Sequence, residues 1–179
     1  MKQLRKVLDA VLTVLAGASF VAMTLLTCWQ VFTRYVLSNP SSWSEELVGY
    51  LFAWMSLFGA CLVTGERGHM NIPLLVERVK PAMQKILSIF AEVIACVFAI
   101  VILVYGGVQI SSLAMGQMTS SLGMPIGVFY VVMPVCGVLI ALYTIINIVE
   151  IANGTMSVVV ADEGAQAIEK VEREKEAQK

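Results

Sequence analysis

The chain has 179 residues, of which 58% are hydrophobic and 14% charged, and its mean hydropathy is +0.81. A soluble domain of this length needs many more charged residues to cover its surface. The composition therefore excludes a soluble domain and predicts an integral membrane protein. The net charge of −1 identifies no partner by itself, and nucleic acid is not expected as one.

The first apolar stretch covers residues 10–33 and contains no charged side chain. As a helix it is about 36 Å long, which is enough to cross a hydrocarbon core of about 30 Å. Three cations precede it, as in a signal peptide. It is too long for that role, however, and no small-residue cleavage site follows, so we expect a retained anchor.

Three further spans are expected, over about 47–64, 86–110 and 126–149. The uncharged stretch from 93 to 149 is too long for a single span. The section 111–125 is polar and rich in small residues, and we expect it to divide that stretch into the third and fourth spans.

The Lys and Arg residues predict the orientation of the spans. Four spans place both termini and the loop between the second and third spans on one side of the membrane. Every Lys and Arg except Arg34 lies on that side. By the positive-inside rule that side is the cytoplasm. We therefore predict an all-α integral membrane protein with four transmembrane helices and cytoplasmic N and C termini. Its four-helix domain covers 1–160, and a charged cytoplasmic tail over 161–179 either extends the last helix or is disordered.

The cysteines indicate neither a metal site nor a disulfide framework. Each lies in a different apolar run, and no Cys-x-x-Cys or Cys/His spacing occurs: Cys28, Cys61, Cys96 and Cys136. We expect them at different depths, as buried and unreactive thiols. Because the sequence also contains no nucleophile–base pair or phosphate-binding loop in place, we expect no enzyme activity, no cofactor and no metal.

The second span has a bulky face and a small face. The bulky residues recur at helical spacing: Trp43, Leu47, Tyr50, Trp54 and Leu57. The small ones follow the same period: Gly49, Ala53, Ser56 and Ala60. A second small stripe lies on the third span: Ala91, Ala95 and Ala99. Small residues let a neighbouring helix approach closely, so the stripes either pack within the chain or dock against another membrane subunit.

Two carboxylates, Glu45 and Glu46, open the second span beside Trp43, a residue type common at membrane interfaces. Ser42 and Glu45 have the spacing of a capping box, and both acids are favourable at a helix N-terminus. The box does not need Glu46. We expect this second acid to pair with Arg34 or with a basic group on a partner.

Glu92 is the one acid within the predicted spans. It could carry protons, as acids do in small multidrug exporters, or it could pair with Lys85, Arg5 or Lys6, and we favour the pairing. The only histidine, His69, lies in the loop after the second span and lacks the companions of a metal site. We interpret it as a hydrogen-bonded loop residue.

Three features of the chain occur together in one known family. They are Trp43-x-Glu45-Glu46 at the start of the second span, Arg67-Gly68-His69 after it, and Met124-Pro125 with Pro134 around the start of the fourth. Over nearly its whole length, the chain resembles the small membrane subunit of tripartite ATP-independent periplasmic (TRAP) transporters, the DctQ-like family. The resemblance implies that these motif residues have structural or subunit-contacting roles, with no catalytic residue among them.

The resemblance also implies a function, that of a scaffold subunit in a bacterial inner membrane. It would brace a large elevator-type permease subunit, which holds the substrate and sodium sites and receives an organic acid from a periplasmic binding protein. Expected partners are therefore the large subunit, the binding protein and membrane lipid. The alternative is a self-contained, proton-coupled exporter acting as a homo-oligomer through Glu92. Such exporters tend to be shorter and to place their acid in the first span, which has none here.

Overall fold

The computed structural model describes residues 2–66 and 81–153, which are almost entirely helical. The elements are α1 (Lys2–Tyr35), α2 (Ser42–Gly65), α3 (Pro81–Phe98), a π-helical segment (Ala99–Gly106), α4 (Gly107–Ala114), α5 (Ile126–Tyr130) and α6 (Val132–Ala152). The Arg67-Gly68-His69 motif and the predicted tail over 161–179 lie outside the described residues.

Four helical stretches among the described residues are long and apolar enough to cross a membrane: Arg5–Tyr35, Ser42–Gly65, Met83–Ala114 and Ile126–Ala152. The predicted all-α class with four transmembrane helices is therefore confirmed. Each stretch is longer than the span predicted for it, because polar residues at the membrane interface continue the helix. The side of the membrane on which the termini lie stays a prediction.

Helix α1 is continuous over 34 residues, or about 51 Å. The hydroxyl groups of Ser19, Thr24 and Thr27 each donate to the carbonyl four residues earlier, at 2.8–2.9 Å. These bonds satisfy polar groups that hydrocarbon cannot hydrogen-bond, so the helix passes through these residues without a break. Along its length α1 packs against α2.

The third span contains a π-helical segment that the sequence did not predict. This segment packs against α6, where Gly137 comes so close that a Cβ atom would meet the Cβ of Leu103 at 2.7 Å. A π turn shifts the register of the side chains beyond it, and here it coincides with a close approach of the two spans. At the next turn a Cβ atom at Gly107 would lie 2.9 Å from the Cδ of Pro134.

The end of the third span also differs from the prediction. Helix α4 continues to Ala114, whereas the dividing section was expected to begin at residue 111. The Ser112 hydroxyl donates to the Gln109 carbonyl at 2.8 Å, which satisfies this polar side chain within the helix. Serines can therefore stay helical at this position, and composition alone misplaced the boundary.

The fourth span is interrupted at Val131, between α5 and α6. Proline has no N–H, so Pro134 cannot donate to the carbonyl of Tyr130 four residues earlier. The next bond, from the Val135 N–H to the Val131 carbonyl, is long at 3.4 Å. The interruption is therefore the expected local effect of a proline in the first turn of α6.

The core is centred on α6, which contacts α2, α3 and the π-helical segment. Its fully or nearly buried members come from both halves of the chain: Leu12, Phe58, Cys61, Ala99, Cys136, Ile140, Ala141 and Tyr143. Large apolar side chains on α1 and α3, such as Leu25 and Phe90, remain exposed. In a membrane protein these side chains form the lipid-facing surface.

The expected separation of the cysteines is wrong for two of them. Cys61 and Cys136 are fully buried together, and the Cys61 thiol donates to the Cys136 carbonyl at 3.6 Å. Cys96 is partly buried, and Cys28 is exposed on α1. Position along a span does not give depth when helices tilt, so the meeting of Cys61 and Cys136 was not visible in the sequence.

Candidate functional site

The described bundle has two polar ends, which hold most of the predicted site residues. The hairpin end contains the start of α2 and the loop 115–125. The terminal end contains the start of α1, the end of α2, the start of α3 and the end of α6. We describe each end from its residues upward.

At the hairpin end, the loop 115–125 folds back on itself. Met118 and Pro125 form an isolated antiparallel bridge. The Thr119 N–H donates to the Met124 carbonyl at 2.8 Å, and the Met124 N–H donates to Thr119 Oγ1 at 3.0 Å. Between them Gly123 has a φ of +64°, which favours glycine. The predicted motif Met124-Pro125 is thus the returning arm of this hairpin.

Glu46 binds the tip of the hairpin. Its Oε1 accepts the Ser120 N–H at 3.2 Å and its Oε2 accepts the Ser121 N–H at 3.0 Å. Of the two pairings predicted for Glu46, the one with Arg34 is wrong, and the one with a basic group on a partner stays a prediction. Arg34 is exposed in the last turn of α1 and forms no ion pair with another described residue. Both carboxylate oxygens of Glu46 therefore have partners within the chain, about 75 residues away in sequence.

The start of α2 also differs from the predicted capping box. The N-cap is Ser41 rather than Ser42, and its side chain makes no capping hydrogen bond. The buried Ser44 donates instead to the Ser41 carbonyl at 2.8 Å, and the two hydroxyl groups are hydrogen-bonded to each other. Glu45 is exposed in the first turn, where its charge is favourable with the helix dipole.

Trp43 is half-exposed and lines a pocket of about 470 Å³ at the hairpin end. Trp29 and Thr33 of α1 form another part of the wall, together with Ser121 of the hairpin. The two tryptophans thus lie at the ends of adjacent spans, a position typical of interfacial aromatic residues.

Part of the bulky face of α2 packs within the chain. The ring of Tyr50 stacks on Phe129 of α5 with centroids 4.0 Å apart, and Trp54 Nε1 donates to the Phe129 carbonyl at 2.9 Å. The small stripe on the same helix behaves differently, because Gly49 and Ala53 remain exposed. For the small stripe, docking against another subunit stays a prediction.

At the terminal end, Glu92 and Asn147 form a buried polar contact. Glu92 is 1% exposed and Asn147 is fully buried. The Asn147 Nδ2 group donates to Glu92 Oε1 and to the Thr64 carbonyl, each at 3.1 Å. One side chain of α6 therefore links α2 and α3 in the interior of the bundle.

The partners predicted for Glu92 bind elsewhere. Arg5 forms an ion pair with Glu150 at 3.1 Å, and Lys85 donates to a main-chain carbonyl at the end of α6 at 2.9 Å. Lys6 is exposed and forms no ion pair with another described residue. The sequence analysis did not anticipate the Asn147 amide, which donates to Glu92.

Two more residues of this end, Asp9 and Tyr143, are also absent from the prediction. The Tyr143 hydroxyl donates to Asp9 Oδ1 at 2.5 Å, and its ring lies against Gly65, where a Cβ atom would approach within 3.0 Å. For Asn147 the sequence did contain a signal, because an asparagine inside an apolar span needs a hydrogen-bond partner on another helix. No sequence pattern pairs Asp9 with Tyr143.

These contacts give the terminal end a structural role. Arg5 and Asp9 of α1, Thr64 of α2 and Glu92 of α3 are each bonded to α6. Within the described part of the chain, no group of three or more His, Cys, Asp or Glu side chains could hold a metal ion. The four bonds to α6 stabilise the relative positions of these helices.

Replacing Glu46 by alanine is expected to loosen the hairpin without unfolding the bundle. The Ser120 and Ser121 N–H groups lose their acceptors, so their hydrogen exchange should become several-fold faster, as measured by mass spectrometry of the chain in detergent. Glu45→Ala is the matched control, because it removes an exposed acid from the same turn. Equal exchange in the two variants would contradict the assigned role of Glu46.

Comparison with known proteins gives a consistent assignment. The family model of the DctQ component of tripartite ATP-independent periplasmic transporters matches residues 23–154. The chain is 31% identical over 111 residues to the sialic acid TRAP transporter small permease protein SiaQ of Vibrio cholerae, covering 61% of this chain and 64% of SiaQ.

Two further relatives match over shorter regions. The C4-dicarboxylate TRAP transporter small permease protein DctQ of Vibrio cholerae is 30% identical over 83 residues, which are 46% of this chain and 36% of DctQ. The sialic acid TRAP transporter permease protein SiaT of Haemophilus influenzae is 28% identical over 86 residues, which are 47% of this chain and 14% of SiaT. The chain thus spans less than two thirds of the length of each of these three relatives.

The family model covers most of the chain, and the four apolar helices are those of a multi-pass inner-membrane protein. Small permease subunits are transporter components and not enzymes. The chain belongs to the DctQ family, the small permease component of the tripartite ATP-independent periplasmic transporters.

Proposed function

We propose that this chain is a scaffold that braces the large permease subunit of a TRAP transporter and binds no substrate itself. The observation that carries the proposal is the use of its buried polar groups. Asn147 binds Glu92 and the Thr64 carbonyl, and Tyr143 binds Asp9. Side chains that hold helices together in this way are not arranged as a substrate cavity.

The solute we propose is an organic acid carried as its carboxylate, with sodium as the driving ion. The names of two relatives support a carboxylate, since SiaQ belongs to a sialic acid transporter and DctQ to a C4-dicarboxylate transporter. The match to SiaT supports a large permease as the direct partner. Only 14% of SiaT corresponds to this chain, so in that permease protein a similar segment is joined to a much longer chain.

The hairpin end is the surface we propose to face the periplasm, with both termini in the cytoplasm. The distribution of Lys and Arg supports this orientation. A periplasmic binding protein that delivers the solute would then meet the hairpin, whose tip Glu46 binds. The exposed small residues of α2, such as Gly49 and Ala53, are candidates for contact with the large subunit.

Reconstitution of the chain tests this proposal. Purified alone in liposomes, it is expected to move no solute. Co-expression with the large subunit and addition of the binding protein should give organic-acid uptake that depends on a sodium gradient. Proton-coupled flux by the chain alone, abolished by Glu92→Gln, would overturn the scaffold role in favour of a self-contained exporter.

A further inference from the structure

An apolar groove of about 630 Å³ lies between α2 and α3. Its α2 wall includes Leu57, Ala60 and Thr64, and its α3 wall includes Ala91, Ala95 and Phe98. Leu103 of the π-helical segment and Ile140 of α6 also line it. In this groove Ala60, from the small stripe of α2, faces Ala91 and Ala95, from the small stripe of α3. Alanine methyl groups on both walls leave open space that larger side chains would fill.

Among the described residues that line the groove, none offers a group that would hold water. The one polar side chain of its walls, Thr64, donates its hydroxyl to the Ala60 carbonyl at 2.8 Å. A bound water needs two to four polar partners, and an empty apolar groove forfeits dispersion contacts along its walls. Hydrocarbon is therefore the favourable filling.

The position of the groove matches one leaflet of a membrane. Its α2 wall covers residues 57–64 in the second half of that span, and its α3 wall covers 91–98 in the first half of the next span. Each wall is about 10 Å long, within the roughly 15 Å of half a hydrocarbon core. The groove thus runs from near the terminal end to about mid-membrane.

The groove is also continuous with the lipid-facing surface. Ile94 and Phe98, which line it, are 54% and 56% exposed. A transmembrane helix of a partner would need a groove that crosses the full membrane, whereas this groove covers about half of it.

We propose that this groove binds one acyl chain of a phospholipid in the leaflet at the terminal end. The acyl chain would bridge α2 and α3, which both pack against α6. This site does not depend on the proposed transport function, since it requires only that the helices span a membrane.

Photo-crosslinking to lipid tests the site. The full chain is reconstituted in phosphatidylethanolamine and phosphatidylglycerol vesicles containing a phospholipid with a diazirine on its acyl chain, and labelled peptides are identified by mass spectrometry. We expect strong labelling of 57–64 and 91–98. Ala95→Leu, which fills the groove, should reduce this labelling several-fold and leave labelling of α1 unchanged.

Ala53→Leu is the matched control, because Ala53 is exposed on α2 and does not line the groove. If Ala95→Leu fails to fold, Ala95→Val makes a smaller change and is judged by the same criterion. Labelling that is insensitive to both groove variants would overturn the proposal. So would loss of groove labelling when the large subunit is assembled with the chain, because a partner helix would then be the occupant.

Discussion

Replacing Gly127 with alanine is expected to destabilise the bundle strongly, although alanine is the better helix former. A Cβ atom at this position would overlap the Ser111 carbonyl oxygen and lie 2.7 Å from the Met115 nitrogen. Both are backbone atoms that cannot rotate away. The cost should be about 3 kcal/mol, the upper end of the usual range for overpacking.

The measurement is the free energy of unfolding of the purified chain in detergent. Gly49→Ala is the control, because this helical glycine is exposed and has no atom within 4 Å of a built Cβ. It should leave stability unchanged or raise it by up to about 1 kcal/mol. A Gly127→Ala variant as stable as Gly49→Ala would show that α4 and α5 do not approach as closely as described.

Replacing Asn147 with leucine is expected to have the second-largest effect. It removes the donor to Glu92 Oε1 and to the Thr64 carbonyl, both in the bundle interior. Single hydrogen bonds between membrane helices contribute about 0.6 kcal/mol on average and about 1.7 kcal/mol at most. Two bonds to one buried amide therefore predict a loss of about 1–3 kcal/mol.

Glu92→Gln provides the comparison for Asn147→Leu. Glutamine keeps an oxygen that can accept from Asn147, so this variant should lose less stability than Asn147→Leu. In the double variant the two losses should not add, because the variants share one contact. Additive losses in unfolding experiments would contradict the described contact between Asn147 and Glu92.

Local sequence determined much of the architecture. The uncharged runs predicted four spans because a helix must bury about 20 apolar residues to cross a membrane, a constraint that acts on each segment by itself. The motif order and length were enough to identify the family. The break at Val131 likewise follows from Pro134, since a missing N–H is a local property.

Local sequence did not determine which polar residues bind each other. Glu46 was predicted to pair with Arg34 or with a basic group on a partner, and in the structure it accepts from Ser120 and Ser121. Glu92 was predicted to pair with a cation, and the structure shows that it accepts from Asn147. In each case the partner is on an element far away in sequence, and helix packing decides which polar groups meet.

The sequence by itself determined what this chain is: a four-span membrane protein of the DctQ family, because hydrophobic length and motif order are properties of single segments. Only the tertiary structure decided how the spans fit together. The π-helical segment, the close approach at Gly137 and the meeting of Cys61 with Cys136 depend on the tilt and register of neighbouring helices. These are set by side-chain packing over the whole bundle, which no single segment encodes.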